Sequence, residues 1–361
     1  MRATAAVNLA AIERNAARLA AAGPKLCAVV KADAYGHGQI PCARAALAGG
    51  ASWLAVATAA EAAELRAAGI VDPPILVMGA LTRAEAATAR AAGADVVAWT
   101  EDLVDWMATL GGGRIHVKLD TGMGRLGTRS PTQADRIAAA VRRAPGCELV
   151  GAMTHFATAD DRDDPFFDEQ LARFTAWAAG HGDLIVHAAN SAALLRDRRS
   201  HFDMARCGVA VYGLDPFGAD PADHGLEPAL ELRSWVAAIK PCAPGESAGY
   251  GRRFVAGSDT ELGVIPIGYG DGWRRALTNN ADVLIDGIRR PLVGTVSMDN
   301  VTVDLGPRTS VRPGVPATLI GGEITAEEVA RRLGTINYEV TCGLLPRVPR
   351  SYHRDGVPQG P

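Results

Sequence analysis

The stretch Lys25-Leu-Cys-Ala-Val-Val-Lys-Ala32 is a short run of apolar, β-favouring residues that carries a lysine near its far end. A longer Ala-rich segment follows, then Gly49-Gly50, then a second apolar run. The alternation recurs along the chain, with runs at Trp53–Thr58, Pro74–Gly79, Asp95–Trp99, Arg114–Asp120, Glu148–His155, Leu184–Asn190 and Met204–Tyr212. Short continuous apolar runs separated by amphipathic segments are the pattern of parallel strands joined by crossover helices, because both faces of such strands are covered. Eight repeats within roughly 200 residues predict a closed (β/α)8 TIM barrel rather than an open doubly wound sheet.

On the N-terminal side, Leu9, Ile12, Ala16 and Leu19 recur at helical spacing behind a candidate N-cap, Asn8, and Gly23-Pro24 stops the run. On the C-terminal side, the Asp-, Pro- and Gly-rich segment 215–228 reads as a linker. Beyond it, Leu232–Ile239, Leu262–Ile267, Ala281–Ile285, Pro291–Val296, Val301–Val303 and Pro316–Ile320 are β-favouring and separated by turn residues. One late helix is predicted over Ile324–Leu333, with Thr325 as N-cap and Glu328 three residues on. The expected organisation is an α/β chain: a barrel domain over residues 1–228, then a mostly β domain over 229–361.

Composition narrows the function classes. The 361 residues hold 37 Lys plus Arg against 40 Asp plus Glu, a net charge of −3 with the basic residues scattered, so no nucleic-acid partner is expected. With 48% hydrophobic residues the chain can bury a sizeable core. Glu13, Arg14 and Arg18 interrupt the apolar positions of the N-terminus, and no run reaches the length of a membrane span, so a cytoplasmic location without membrane association is expected. Cys27, Cys42, Cys147, Cys207, Cys242 and Cys342 lie far apart with no zinc spacing, which predicts small buried thiols and no metal site.

In a barrel, the C-terminal ends of the strands form one functional rim. Here that rim receives Lys31, Lys118, His155, Asn190, Ser191 and Arg206. A lysine among Val29, Val30 and Ala32 is desolvated, which lowers its pKa and makes it a nucleophile; snorkelling to solvent is the ordinary alternative. Two residues later, Asp33-Ala34-Tyr35-Gly36-His37-Gly38 sets a phenol beside two glycines where a phosphate could be approached closely.

These segments resemble the alanine racemases, pyridoxal 5'-phosphate (PLP) enzymes built from a barrel and a C-terminal β domain. The likeness runs from about Asn8 to Tyr352 through VVKADAYGHG, KLDTGMGRLG, MTHFATAD, HAANSAA, RCGVAVYG, GYGRRF, IGYGDGW, GTVSMDN and NYEV, in that order. The resemblance implies that Lys31 holds PLP as a Schiff base. It also implies phosphate contacts from Tyr35, Ser191, the amides of Gly208 and Val209, and Tyr338, with Asn190 in support. Arg206 would face the pyridine nitrogen, where a group that cannot accept a proton leaves the ring a weaker electron sink.

Inverting Cα calls for acid/base groups on opposite faces, and the resemblance assigns them to Lys31 and Tyr250, the latter from the second subunit of a homodimer. His155 and Arg206 would favour the Tyr250 phenolate. Arg125, Met298 and Tyr269 match substrate-side positions, and Lys118 matches a lysine that is carbamylated in many members. Gly270, Trp273, Thr295, Ser297 and Asn300 depart from the family's commoner residues, leaving the substrate range open between alanine, serine and other amino acids. Interconversion of L- and D-alanine for peptidoglycan is the leading expectation. A PLP decarboxylase fits poorly with Arg206, and a non-catalytic PLP carrier would need neither Tyr250 nor a second domain.

Overall fold

The computed structural model describes residues 2–359. Strand β1 (Thr4–Asn8) leads into a helix over Leu9–Ala20, where the Asn8 carboxamide accepts from the Ala10 amide. Eight parallel strands follow: β2 (Lys25–Val29), β3 (Trp53–Val56), β4 (Ile75–Val77), β5 (Asp95–Ala98), β6 (Gly113–Lys118), β7 (Cys147–Met153), β8 (Ile185–His187) and β9 (Met204–Cys207). Each falls within or beside one of the eight apolar runs. β9 pairs with β2, and backbone bonds from Asp203 to Val186 (3.0 Å) and from Arg206 to Ala189 (2.9 Å) join it to the β8 side, closing the barrel.

The runs are mostly apolar because the strands are covered on both faces: β3, β4 and β5 are buried at every residue, Asp95 being the one polar member of those three. The crossover helices start where their sequences supply caps. Thr58 and Thr82 each accept from the amide three residues on, while Glu61 and Glu85 reach back, two complete capping boxes. Ser130 caps Pro131–Arg143, with proline at the first helical position.

The second compact unit comprises the residues up to Ala11 and those from Tyr212 onward. Its largest sheet has the order β16-β15-β18-β10-β1-β19-β20, with β10 (Leu230–Trp235), β15 (Asp282–Ile285), β16 (Ile288–Pro291), β18 (Pro316–Ile320), β19 (Arg350–Arg354) and β20 (Val357–Pro358). β1 runs antiparallel to β10 and parallel to β19; the remaining pairs are antiparallel. A three-stranded sheet holds β11 (Ala238–Cys242), β14 (Thr260–Ile265) and β17 (Val301–Asp304), and a two-stranded ribbon holds β12 (Ser247–Ala248) and β13 (Phe254–Val255).

Five readings of the sequence need correction. The predicted strand Leu232–Ile239 is two strands, β10 and β11, in different sheets. The predicted Pro291–Val296 strand ends at Pro291, and Ile288–Arg290 precede it in a hairpin with β15. The segment 215–228 is no loose linker: the buried Asp215 accepts from the amides of Phe217 (3.1 Å) and Ala219 (2.8 Å) and pairs with His224 (2.8 Å), while its own amide donates to Glu327 (3.0 Å). The helix capped by Thr325 spans Ala326–Leu333, two residues shorter at its start than read. Cys27, Cys42, Cys207 and Cys242 are buried as expected, whereas Cys147 is half-buried and Cys342 is exposed. Among the described residues, no helix is long and apolar enough to cross a membrane.

Candidate active site

β2 stops at Val29, and the chain turns at once into Lys31–Gly36, a single turn in the left-handed region. Ala32, Asp33, Ala34 and Tyr35 have φ of 52°, 52°, 53° and 55°. Each such residue costs about 1–2 kcal/mol relative to the right-handed form, so other groups must hold the turn. Glu61 accepts from the Ala32 amide (2.7 Å) and from those of Ala57 (2.8 Å) and Thr58 (3.0 Å), tying the turn to the end of β3. The Asp33 carboxylate accepts from the Gln39 amide (2.8 Å), and the Gln39 side chain donates to the Val30 carbonyl (3.3 Å). The turn leaves Lys31 half-buried and Ala32 exposed, a more open setting than the run of apolar neighbours suggested.

It also buries Tyr35, whose hydroxyl lies where any Cβ at residue 208 would fall, so only glycine fits there. Beside it, Ser191 Oγ accepts from the amides of Gly208 (3.1 Å) and Ala210 (3.4 Å), and the Asn190 carboxamide caps the helix that Ser191 begins by accepting from Ala193 (2.9 Å). Val209 begins the turn that follows β9. A phenol, a hydroxyl and backbone amides thus converge without a carboxylate, a donor set suited to a phosphate ester.

Arg206 is buried in the barrel. Its Nη1 donates to Nδ1 (2.8 Å) and the carbonyl (3.1 Å) of His187; its Nη2 donates to the carbonyls of Thr154 (2.8 Å) and Ala188 (3.1 Å) and to Nδ1 of His155 (3.2 Å). None of these bonds uses Nε. Burial lowers the guanidinium to about 10, which still leaves it charged at neutral pH. A guanidinium can only donate, so both histidines accept through Nδ1 and carry their proton on Nε2. Burial and the nearby cations push both His155 and His187 well below the ordinary histidine range.

Sequence reasoning missed the next members of this chain. His187 Nε2 donates to His116 Nδ1 (2.9 Å), and His116 Nε2 donates to Asp95 (3.1 Å), which also pairs with Arg114 (2.9 Å). Arg206, His187, His116 and Asp95 form one directed series across β9, β8, β6 and β5. Its signal was the polar residues inside otherwise apolar strands, which are expensive to bury unless paired.

Lys118, at the end of β6, is buried and lowered to about 8, first by desolvation and then by Arg206 and Arg125, with Lys31 adding to the effect and Asp120 opposing it. Asp120 is itself engaged: burial raises its pKa, but the amides of Gly124 and Gly122 and the Arg129 guanidinium outweigh this and hold it below the ordinary range. Arg125 sits exposed on the loop that Asp120 shapes. The barrel end therefore gathers Lys31, Lys118, Arg125 and Arg206 with little counter-charge. It fits an anionic cofactor whose aromatic nitrogen takes a hydrogen bond and whose phosphate takes neutral donors, as PLP has.

Four of the expected site residues lie in the second unit. Tyr250 is 75% exposed, on a turn after β12. Tyr269 and Met298 are exposed on adjoining turns, joined by backbone bonds from Tyr269 to Ser297 (3.1 Å) and from Gly270 to Met298 (2.9 Å). Arg347 bridges the two turns through Asp271 (3.0 Å) and Asp299 (2.7 Å). Tyr338 is half-buried on the helix Asn337–Cys342, whose buried Asn337 donates to the Asp215 carbonyl and to Glu327 (both 2.8 Å).

Comparison with known proteins agrees with this architecture over nearly the full chain. Residues 7–216 match the family model described as the alanine racemase N-terminal domain, and residues 229–352 match that of the C-terminal domain. The chain is 43% identical to an alanine racemase of Thermobifida fusca, covering 97% of this chain and 98% of that one. It is 42% identical to an alanine racemase of Geobacillus stearothermophilus, covering 94% and 90%. The solved alanine racemase of Streptomyces coelicolor superposes with a TM-score of 0.92 at 38% identity over 97% of this chain and 98% of that one. With both family models matched in order and relatives alike end to end, the chain belongs to the alanine racemase family and is a racemase.

Proposed function

We propose that the protein interconverts L-alanine and D-alanine with PLP, by two acid/base groups acting from opposite faces of Cα. We further propose that it works as a cytoplasmic homodimer and supplies D-alanine for peptidoglycan. The observation that carries the reading is the barrel end, where a lysine on a strained turn stands among cations and neutral donors with Arg206 beneath them. When bound, PLP supplies the electron withdrawal that acidifies the substrate's Cα–H.

The chain's residues supply the rest. Lys31 Nζ holds the cofactor and then exchanges a proton with Cα on one face, and Tyr250 of the partner subunit does so on the other. Tyr35, Ser191, Tyr338 and the amides of Gly208 and Val209 would hold the phosphate group, with Asn190 keeping Ser191 in place. The Nε of Arg206 takes no part in its bonds to the two histidines and the carbonyls and would be left to donate to the ring nitrogen of a bound PLP; being unable to accept a proton, Arg206 would favour that nitrogen's unprotonated form. His155, neutral and accepting from Arg206, has its Nε2–H to offer the Tyr250 oxygen, so the charge favouring phenolate resides on Arg206. Arg125 binds the substrate carboxylate, with Met298 and Tyr269 of the partner subunit on the substrate side. The neutral amine of Lys118 adds to carbon dioxide with loss of a proton, and the resulting carbamate anion faces Arg125 instead of repelling it.

The test is a chiral assay of purified protein with L-alanine, L-serine and other amino acids, with and without added PLP. Formation of D-alanine that depends on PLP and is lost in Lys31→Ala is expected. Equal turnover of serine would broaden the substrate assignment, and no racemisation of alanine would overturn it.

A further inference from the structure

Within its own chain the Tyr250 phenol is mostly exposed, so packing there does little to aim it; before it meets the partner subunit, its direction comes from the backbone that carries it. That backbone is poorly self-supporting. Gly249, Gly251 and Arg252 have φ of 73°, 72° and 48°, and the turn's internal bond, from Arg252 to Gly249, is long at 3.4 Å. Two side chains from neighbouring segments hold it. Thr295, buried, donates its hydroxyl to the Tyr250 carbonyl (2.6 Å). Asn279 donates to the Arg253 carbonyl (2.9 Å) and accepts from the Gly294 amide (2.5 Å), bridging the turn to the segment that bears Thr295. The two backbones touch directly. A Cβ at Gly249 would come within 3.0 Å of the Thr295 nitrogen, and one at Gly294 within 2.7 Å of the Ala248 oxygen.

We propose that Thr295, with Asn279, is a positioning residue for Tyr250: the two side chains pin both ends of its turn and thereby aim the phenol. The proposal rests on the reading of Tyr250 as one of the two acid/base groups. Thr295→Val keeps the shape and removes the donor, whereas Thr295→Ser keeps the donor.

Because the two enantiomers of alanine are equal in free energy, any lesion lowers kcat/KM equally in both directions, so racemisation rate alone is uninformative about faces. Solvent deuterium exchange at Cα, measured for each enantiomer beside racemisation, separates them. Tyr250→Phe is expected to abolish racemisation yet leave exchange in the enantiomer whose proton Lys31 removes. Thr295→Val should show the same asymmetry in weaker form, with racemisation down at least tenfold and that exchange down less than twofold. Thr295→Ser should stay within about twofold of wild type in both. Amide hydrogen exchange over residues 250–253 should speed up in Thr295→Val and in Asn279→Ala, the latter an exposed change that keeps the test open should the first fail to fold. Wild-type behaviour of Thr295→Val, or equal loss of exchange in both enantiomers, alongside an asymmetric Tyr250→Phe, overturns this inference alone. A symmetric Tyr250→Phe overturns the assignment of Tyr250 itself.

Discussion

At the scale of residues, the site is governed by where protons are not allowed to go. Arg206 stays charged and donates to acceptors only, which forces His155 and His187 into the neutral form with the proton on Nε2. The series through His116 to Asp95 fixes that arrangement. Lys118 is the opposite case, a cation whose charge the site disfavours. Its folded-state value of about 8 lies below its ordinary 10.5, so the unfolded chain binds more protons between the two and stability rises with pH through that window. In bicarbonate-free buffer, Lys118→Met is therefore expected to be more stable than wild type at pH 7, by on the order of 2–3 kcal/mol, and to lose this advantage as pH rises from 8 towards 10. Thermal unfolding at several pH values checks it, and an advantage that does not change with pH would contradict the assigned burial of charge.

At the scale of elements, the eight barrel strands were legible because they are largely buried on both faces and so are mostly apolar, with polar members such as His116 and Arg206 paired in the interior. The helix behind Thr325 was legible because that cap does local work that a local pattern reveals; Thr58, Thr82 and Ser130 carry the same signal, but the crossover segments they open were read only from their amphipathic texture. β1 and β19 were not. Thr4–Asn8 is short and Ala-rich and Arg350–Arg354 is polar; they become strands by pairing with each other across more than 300 residues, and β1 also with the distant β10. The left-handed turn after Val30 was invisible for a related reason. Apart from Asp33, nothing in Ala-Asp-Ala-Tyr favours positive φ, and the turn depends on acceptors supplied from elsewhere, Glu61 foremost. Glu61→Ala removes the acceptor from three amides at once and is expected to cost about 1–3 kcal/mol, to speed hydrogen exchange over residues 32–36, and to weaken PLP binding. A variant with unchanged exchange there would show that the turn holds itself.

At the scale of the whole molecule, the expected site residues fall into two groups. Those from Lys31 to Val209 belong to the barrel unit and are brought together at one end of it; Tyr250, Tyr269, Met298 and Tyr338 belong to the second unit. The motifs nominate all of them because each sits in a short, unusual string; His116, Asp95, Glu61 and Asn279 act through bonds between distant segments that no single string displays, and His187, though it opens the HAANSAA string, shows its partners only in the fold. Three of the second group, Tyr250, Tyr269 and Met298, are exposed on this chain, as groups destined for a neighbour's site would be. Mixing Lys31→Ala with Tyr250→Phe protein under conditions of confirmed subunit exchange is expected to restore activity towards one intact site per mixed dimer. Absence of recovery would show that each chain completes its own site.

In the proposed mechanism, two different groups handle the proton on the two sides of one carbon. Early-time racemisation of L-alanine by the wild-type enzyme in D2O tests it most directly: the D-alanine formed should carry solvent deuterium at Cα while unreacted L-alanine does not. Product that retains the original hydrogen would mean that a single group carries the proton from one face to the other.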